Sequence, residues 1–177
     1  MARRSIGTPD ECRATWSDIE KLWGEAVERA RRLPEEARHE RVDGEWSFVE
    51  TLRHLVFATD AWVRRAVLEE VAPFHRLALP HSDYPAALHA SIGVDVDATP
   101  SFDEVMAVRL DRMATVHGVV DALTDDELAR MCTLSPSPDF PDERFTVGQC
   151  LWTVMNEERA HHGYATRDLA RIESRSS

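Results

Sequence analysis

Cysteine is scarce and scattered: Cys12, Cys132 and Cys150 are odd in number and include no Cys-x-x-Cys pair. That excludes a zinc ribbon or a dithiol redox motif and reads as reduced, packed thiols. Long apolar runs are missing too. No window reaches the roughly 18 apolar residues that a membrane helix needs, and the opening MARRSIGTPDEC has basic residues but no apolar signal core. A cytoplasmic location without a membrane partner is expected. Positive charge is in deficit: 21 Lys and Arg against 32 Asp and Glu leave a formal net charge of −11. Such a field repels phosphate backbones and anionic lipid, so no nucleic-acid partner is expected. Strand-like alternation and internal repeats are absent, and there is no Ser-His-Asp set, P-loop or glycine-rich dinucleotide signature.

What the chain has is helix punctuation. At 177 residues and 43% apolar, it is long enough for one domain, spanning 1–177, with a proper core. The pattern Ser/Thr-x-x-Glu/Gln, which satisfies two backbone donors at a helix start, occurs at TPDE (Thr8), SFVE (Ser47), SFDE (Ser101), TDDE (Thr124) and TVGQ (Thr146). Behind the first, Cys12, Trp16, Ile19, Trp23, Val27 and Ala30 recur at steps of three and four until Leu33-Pro34 stops the run. The second box opens a stripe from Phe48 to about Leu68, and the third opens Phe102, Val105, Met106, Leu110, Met113, Val116 and Val120, ending near Leu123. The fourth starts a short helix from Asp125 to Arg130. The fifth opens a helix of roughly 25 residues carrying Val147, Leu151, Val154, Ala165, Leu169 and Ile172, with the terminal ESRSS expected to fray.

Between the second and third long helices, residues 71–100 hold four prolines and three histidines. A connection that long inside a compact domain is usually functional or disordered, so it reads as a lid or as a surface crossover. A second irregular stretch, LSPSPDFPDERF, precedes the last helix. The sum is an all-α four-helix bundle with a long connection between helices two and three. Trp16, Trp23 and Trp62 read as core, with packing between subunits of a dimeric interaction module as the competing reading.

The chemistry concentrates in NEERAHHGYA, residues 156–165. On a wheel of about 100° per residue, Glu158 and His161 fall inside the last helix's apolar stripe, Glu157 sits just off it one turn before His161, and His162 lies on the other flank. Buried ionised groups must be paired or must coordinate something, so a hydrogen-bonded Glu-His cluster and a metal both remain open. A metal in a bundle also needs a donor from a facing helix. His54, beside the stripe of helix two with small Ala58 and Ala61 along the same side, is the strongest candidate. His117 and the loop histidines His75, His81 and His89 read as surface. Glu158-x-x-His161 copies half of a di-iron motif, but the only other Glu-x-x-His, Glu36 to His39, falls in a Pro34-led linker.

GEWSFVETLRHLVFATDAWV, followed about a hundred residues later by VGQCLWTVMNEERAHHGYATRDL, resembles the DinB/YfiT-like superfamily of bacterial metal-binding four-helix bundles. That family includes low-molecular-weight-thiol S-transferases and mycothiol-dependent maleylpyruvate isomerases. Trp46-Ser47 and His54 match its second helix. Its last helix typically carries His-x-x-x-His close before glycine. Setting Gly163 on that glycine puts His161 on the second histidine and Glu157 on the first, so a carboxylate replaces one imidazole. The resemblance implies the triad His54, Glu157 and His161, a two-histidine-one-carboxylate set known for catalytic zinc and non-haem iron(II). Zinc is the expected ion, with nickel, iron or manganese as alternatives. Glu158 could then hold an imidazole N–H, and His162 could line the pocket.

Three protein ligands leave open positions, the mark of a catalytic site. The function implied is a metal-dependent enzyme in which the ion activates a small-molecule thiol, such as mycothiol, against a small electrophile, as an S-transferase or thiol-dependent isomerase. The resemblance also implies a homodimer. A metal-dependent hydrolase using water, or a non-enzymatic bundle with a buried Glu-His cluster, would use the same residues.

Overall fold

The computed structural model describes residues 4–175. The described residues form α1 (Pro9–Arg31), α2 (Glu35–Arg38), α3 (Phe48–Thr59) running directly into a π-helical segment (Asp60–Val67), α4 (Ala86–His89), α5 (Phe102–Asp121), α6 (Asp125–Ala129) and α7 (Val147–Arg175). The long helices α1, α3, α5 and α7 make a four-helix bundle in which α7 packs on α1 and α3, and α5 packs on α3 and α1. None is long and apolar enough to cross a membrane.

All five predicted starts are capped. Ser47 with Glu50 and Ser101 with Glu104 form complete reciprocal boxes, and Thr146 does the same with Gln149. Thr8 and Thr124 accept the N–H groups of Glu11 and Glu127, while the Glu11 carboxylate reaches Gly7 instead of its own cap. The last helix runs longer than expected. Glu173 to Arg175 are helical because Glu173 pairs with Arg29 of α1 and Arg175 pairs with Glu40; Ser176 and Ser177 lie outside the described residues.

Trp16 and Trp23 are buried core residues, and Trp62 packs edge-on against Phe145. The three cysteines are free and buried, with the Cys132 and Cys150 sulfurs 3.9 Å apart. The segment Asp60–Val67 is π-helical, which the 3.6-residue pattern did not signal. At its start the fully buried Asp60 carboxylate accepts from Arg112 at 2.7 Å and from the His75 backbone N–H at 2.9 Å. Such π segments recur near functional sites.

Helix α3 is buried almost all round, the pattern of a helix covered on every side. Its outer face is covered by the 71–100 connection, which is neither bare lid nor loose surface chain. Ala78, Tyr84, Ile92 and Val94 close a second small core on Val56 and Phe57. Buried Arg53 pins that connection by donating to the carbonyls of Leu77, Asp95 and Ala98 at 2.7–2.9 Å.

The stripe expected on α5 needs correction. Arg109 and Arg112 are buried, whereas Leu110 is 55% exposed and Met113 is half-buried. The reason is charge: Arg109 crosses the bundle to α7 and grips Glu158 through two hydrogen bonds of 2.7 and 2.5 Å, with both side chains sealed from solvent. Glu158 therefore holds a guanidinium and no imidazole. Removing one partner strands a buried charge, a loss of about 3–5 kcal/mol, while well-packed apolar replacement of both is often neutral. Urea denaturation of Glu158→Ala is expected to show a loss of that size. Arg109→Met with Glu158→Leu is expected to recover most of it.

Candidate metal centre

Three side chains from two helices converge on one point. The Ser47 cap starts α3 so that His54 falls two turns in, on the side facing α7. Glu157 and His161 stand one turn apart on α7 and therefore stack on the same face. His54 Nε2 lies 3.1 Å from Glu157 Oε2, and His161 Nε2 lies 3.3 Å from the same oxygen. One donor atom from each residue can be chosen so that all three lie within 4.8 Å of one another. The His54 side chain is 5% exposed, His161 16% and Glu157 33%, so the cluster opens to solvent on the α7 side.

The hydrogen bonding of His54 narrows what can sit there. Its Nδ1 lies 3.0 Å from the Leu79 carbonyl, which can only accept, so Nδ1 carries the proton. In a neutral ring Nε2 then presents a lone pair to a carboxylate oxygen, and two lone pairs at 3.1 Å repel unless a cation stands between them. That cation is either a proton on the ring or a metal ion. The residues fit a metal. Ligand bonds of about 2.0–2.1 Å in a tetrahedral set put donors about 3.3 Å apart, and a ligating histidine ordinarily gives its other N–H to a carbonyl or carboxylate. Without an ion, hydrogen bonds from His161 first and His54 second hold the Glu157 carboxyl down at about 2.

Trp46 walls the cluster, with ring centroids 4.7 Å from His54 and 5.9 Å from His161. Two cavities meet there and share His54, His81 and Glu157. One, of about 500 Å³, is mostly apolar and is lined by Phe57, Trp62, Tyr84 and Phe140. The other, of about 440 Å³, is more polar, with Arg41, Glu45, Thr51, Tyr164 and Asp168 beside Trp46 in its lining.

The remaining sequence candidates disperse. His162 meets the Leu22 carbonyl and the edge of Trp23 on α1. His117 pairs with Glu20 and Asp121, His89 stacks on Tyr84, and His75 Nδ1 accepts the Leu77 N–H. His81, expected at the surface, instead borders the cluster, and burial pulls its pKa below the ordinary imidazole value. Nothing in the local sequence marks it, since the 71–100 fold brings it in. Arg109, the partner missed for Glu158, was findable: at about 100° per residue it falls within about 20° of Phe102, the middle of the α5 stripe.

The DinB superfamily profile matches residues 18–165, a span that contains the whole cluster. The chain belongs to the DinB superfamily. Among solved structures it is similar to YfiT from Bacillus subtilis, described as a probable metal-dependent hydrolase with an unusual four-helix bundle topology. The TM-score is 0.64 and the identity 16%, over 98% of this chain and 93% of that one. It is also similar to an uncharacterised protein from Clostridium difficile 630 (TM-score 0.60, 13% identity, 93% and 96% covered) and to a protein from Streptococcus pneumoniae (TM-score 0.58, 15% identity, 97% and 93% covered). At these identities the likeness establishes the DinB bundle fold. No curated protein matches the sequence.

The depressed Glu157 carboxyl has a signed consequence in metal-free protein. Its folded pKa of about 2 lies below the ordinary 4.5, so its stabilising contribution is complete above about 4.5 and is lost as pH falls toward 2. In chelator-treated protein, Glu157→Gln is expected to be less stable than the parent at pH 6. Chemical denaturation across a pH series is expected to show that gap closing between about 4.5 and 2.

Proposed function

We propose that His54, Glu157 and His161 hold one divalent ion, zinc before nickel, iron or manganese, and that the protein is a metal-dependent enzyme joining a small-molecule thiol to an electrophile. The observation that carries the metal is the His54 lone pair set against a carboxylate oxygen that His161 also approaches. A divalent ion there supplies Lewis acidity, making a thiol or water nucleophilic at neutral pH.

The chain's own groups support a two-substrate reaction. A more polar and an apolar cavity both reach His54 and Glu157, the polar one reaching His161 as well, which gives a hydrophilic thiol and a less polar electrophile separate approaches to one point. Trp46 and the 71–100 connection cover that point from two sides and leave it open beside α7. His81 borders both cavities, and its lowered pKa leaves its ring free to accept the thiol proton near neutral pH. In a transfer to an aryl halide, the S–C bond forms as the C–halogen bond breaks, the proton goes to His81 and halide leaves. A thiol such as mycothiol is the cofactor class that the family suggests.

A second reading, a hydrolase with water as nucleophile, is favoured by the description of YfiT. Both readings need the ion. Elemental analysis of protein purified without a chelating tag is expected to give close to one equivalent, with most of it lost in His54→Ala, Glu157→Ala or His161→Ala. Absence of stoichiometric metal would leave a bundle with a Glu-His cluster. Turnover of 1-chloro-2,4-dinitrobenzene with mycothiol, glutathione or cysteine, set beside p-nitrophenyl acetate hydrolysis without thiol, separates the two enzymes. Thioether formation above the metal-free background is expected, and His81→Gln is expected to keep the metal while losing on the order of 100-fold in rate. Ester hydrolysis alone, indifferent to thiol, would select the hydrolase.

A further inference from the structure

The apolar cavity of about 500 Å³ beside the metal-ligand cluster is bordered by both irregular stretches of the sequence. Phe57 of α3 and Trp62 of its π-helical extension form one side. Tyr84 from the 71–100 connection and Phe140 from LSPSPDFPDERF form the other, and the Tyr84 hydroxyl joins the two stretches by donating to Asp139 at 2.7 Å. Four aromatic side chains thus line one space that reaches His54 and Glu157.

The charge on that lining has one sign. Asp83, Glu143 and Glu157 belong to it, and no lysine or arginine does. Glu157 is committed to His54 and His161. Asp83 and Glu143 form no ion pair among the described residues. Arg144, next in sequence, donates to the carbonyls of Pro141 and Glu143 and is not part of the lining. A divalent ion in the cluster does not reverse the sign, because the Glu157 carboxylate and a bound thiolate together balance its charge. A second molecule entering the cavity therefore meets two uncompensated carboxylates set among aromatic rings. Aromatic faces attract cations, a cleft lined by one sign of charge concentrates the opposite sign, and the net charge of −11 adds to both effects.

We infer that the electrophile is a cationic amphiphile, an apolar body held by the aromatic walls and carrying a quaternary or protonated amine that faces Asp83 and Glu143; this rests on the proposal that a thiol meets an electrophile at the cluster. Carboxylated electrophiles are disfavoured by the same arrangement. A dicarboxylate such as maleylpyruvate would find no lysine or arginine in this cavity.

Calorimetric titration of unreactive ligands into the full chain, with 2-mercaptoethanol as the thiol, tests this without requiring turnover. The ligands are 3,5-dinitrobenzoate, its neutral 3,3-dimethylbutyl amide and the isosteric 2-(trimethylammonio)ethyl amide, in which a quaternary nitrogen replaces a quaternary carbon. The cationic amide is expected to bind about tenfold tighter than the neutral one, and the benzoate more weakly than either. Asp83→Asn combined with Glu143→Gln changes two exposed side chains, so the variant is expected to keep its Tm, to cut that preference to about threefold or less, and to leave the neutral amide unaffected. Phe140→Ala, also at an exposed position, is expected to weaken both amides. Absent binding, equal affinity for the two amides, tighter binding of the benzoate, a preference unmoved by the double variant, or indifference to Phe140→Ala overturns the inference. Turnover of the 4-chloro counterparts with the same thiol reads the enzymatic proposal separately. No thioether, with the charge preference intact, would remove the thiol chemistry and keep the cationic ligand, whereas thioether formed without charge preference would remove only the cationic ligand.

Discussion

One oxygen, Glu157 Oε2, sits 3.1 and 3.3 Å from two imidazole nitrogens that come from different helices. The lone pair of His54 Nε2 facing that carboxylate oxygen is unfavourable without positive charge between them, so the bundle has to place these groups accurately and supply or attract a cation. Much of the architecture around the cluster serves that delivery. The i, i+4 step on α7 stacks Glu157 under His161, and the Leu79 carbonyl fixes the ring of His54 from behind. Leu79 is itself held against α3, because its N–H donates to the Arg53 carbonyl while the Arg53 guanidinium ties down the flanking chain. The long connection thus helps to orient His54, and a small core packs it on Val56 and Phe57.

Two buried ion pairs complete the frame. Arg109–Glu158 spans α5 and α7, and Arg112–Asp60 joins α5 to the π-helical end of α3. Each is intolerant of a register slip, since a displaced helix would leave a charge without its partner in the core. Glu157 and Glu158 are adjacent in sequence yet do opposite work: one opens toward solvent and the imidazoles, and the other locks α7 to a helix across the bundle. Burial decides the difference, with Glu158 sealed and Glu157 one-third exposed.

The helical architecture and the three-residue cluster were legible because their signals are local and periodic. Capping pairs announce helix starts within four residues, and the wheel places His161 inside the inward stripe with Glu157 just off it, one turn before, without knowledge of any neighbour. His54 needed the facing-helix requirement and the family resemblance together. What escaped depends on long-range packing. His81 reaches the cluster only through the folded path of 71–100, and the π-helical segment has no composition of its own. The role of Glu158 was misread because its partner lies 49 residues away on a helix whose stripe seemed complete with Leu110 and Met113. Arginines at stripe positions of α5 were the available clue.

On the proposed function a metal cation, and not a ring proton, resolves the contact among His54, Glu157 and His161. X-ray absorption at the zinc K-edge on protein loaded with one equivalent of zinc reads this directly. A first shell of nitrogen and oxygen only is expected, at about 2.0 Å, with outer-shell scattering from two imidazoles. A sulfur scatterer, or fewer than two imidazoles, would contradict it.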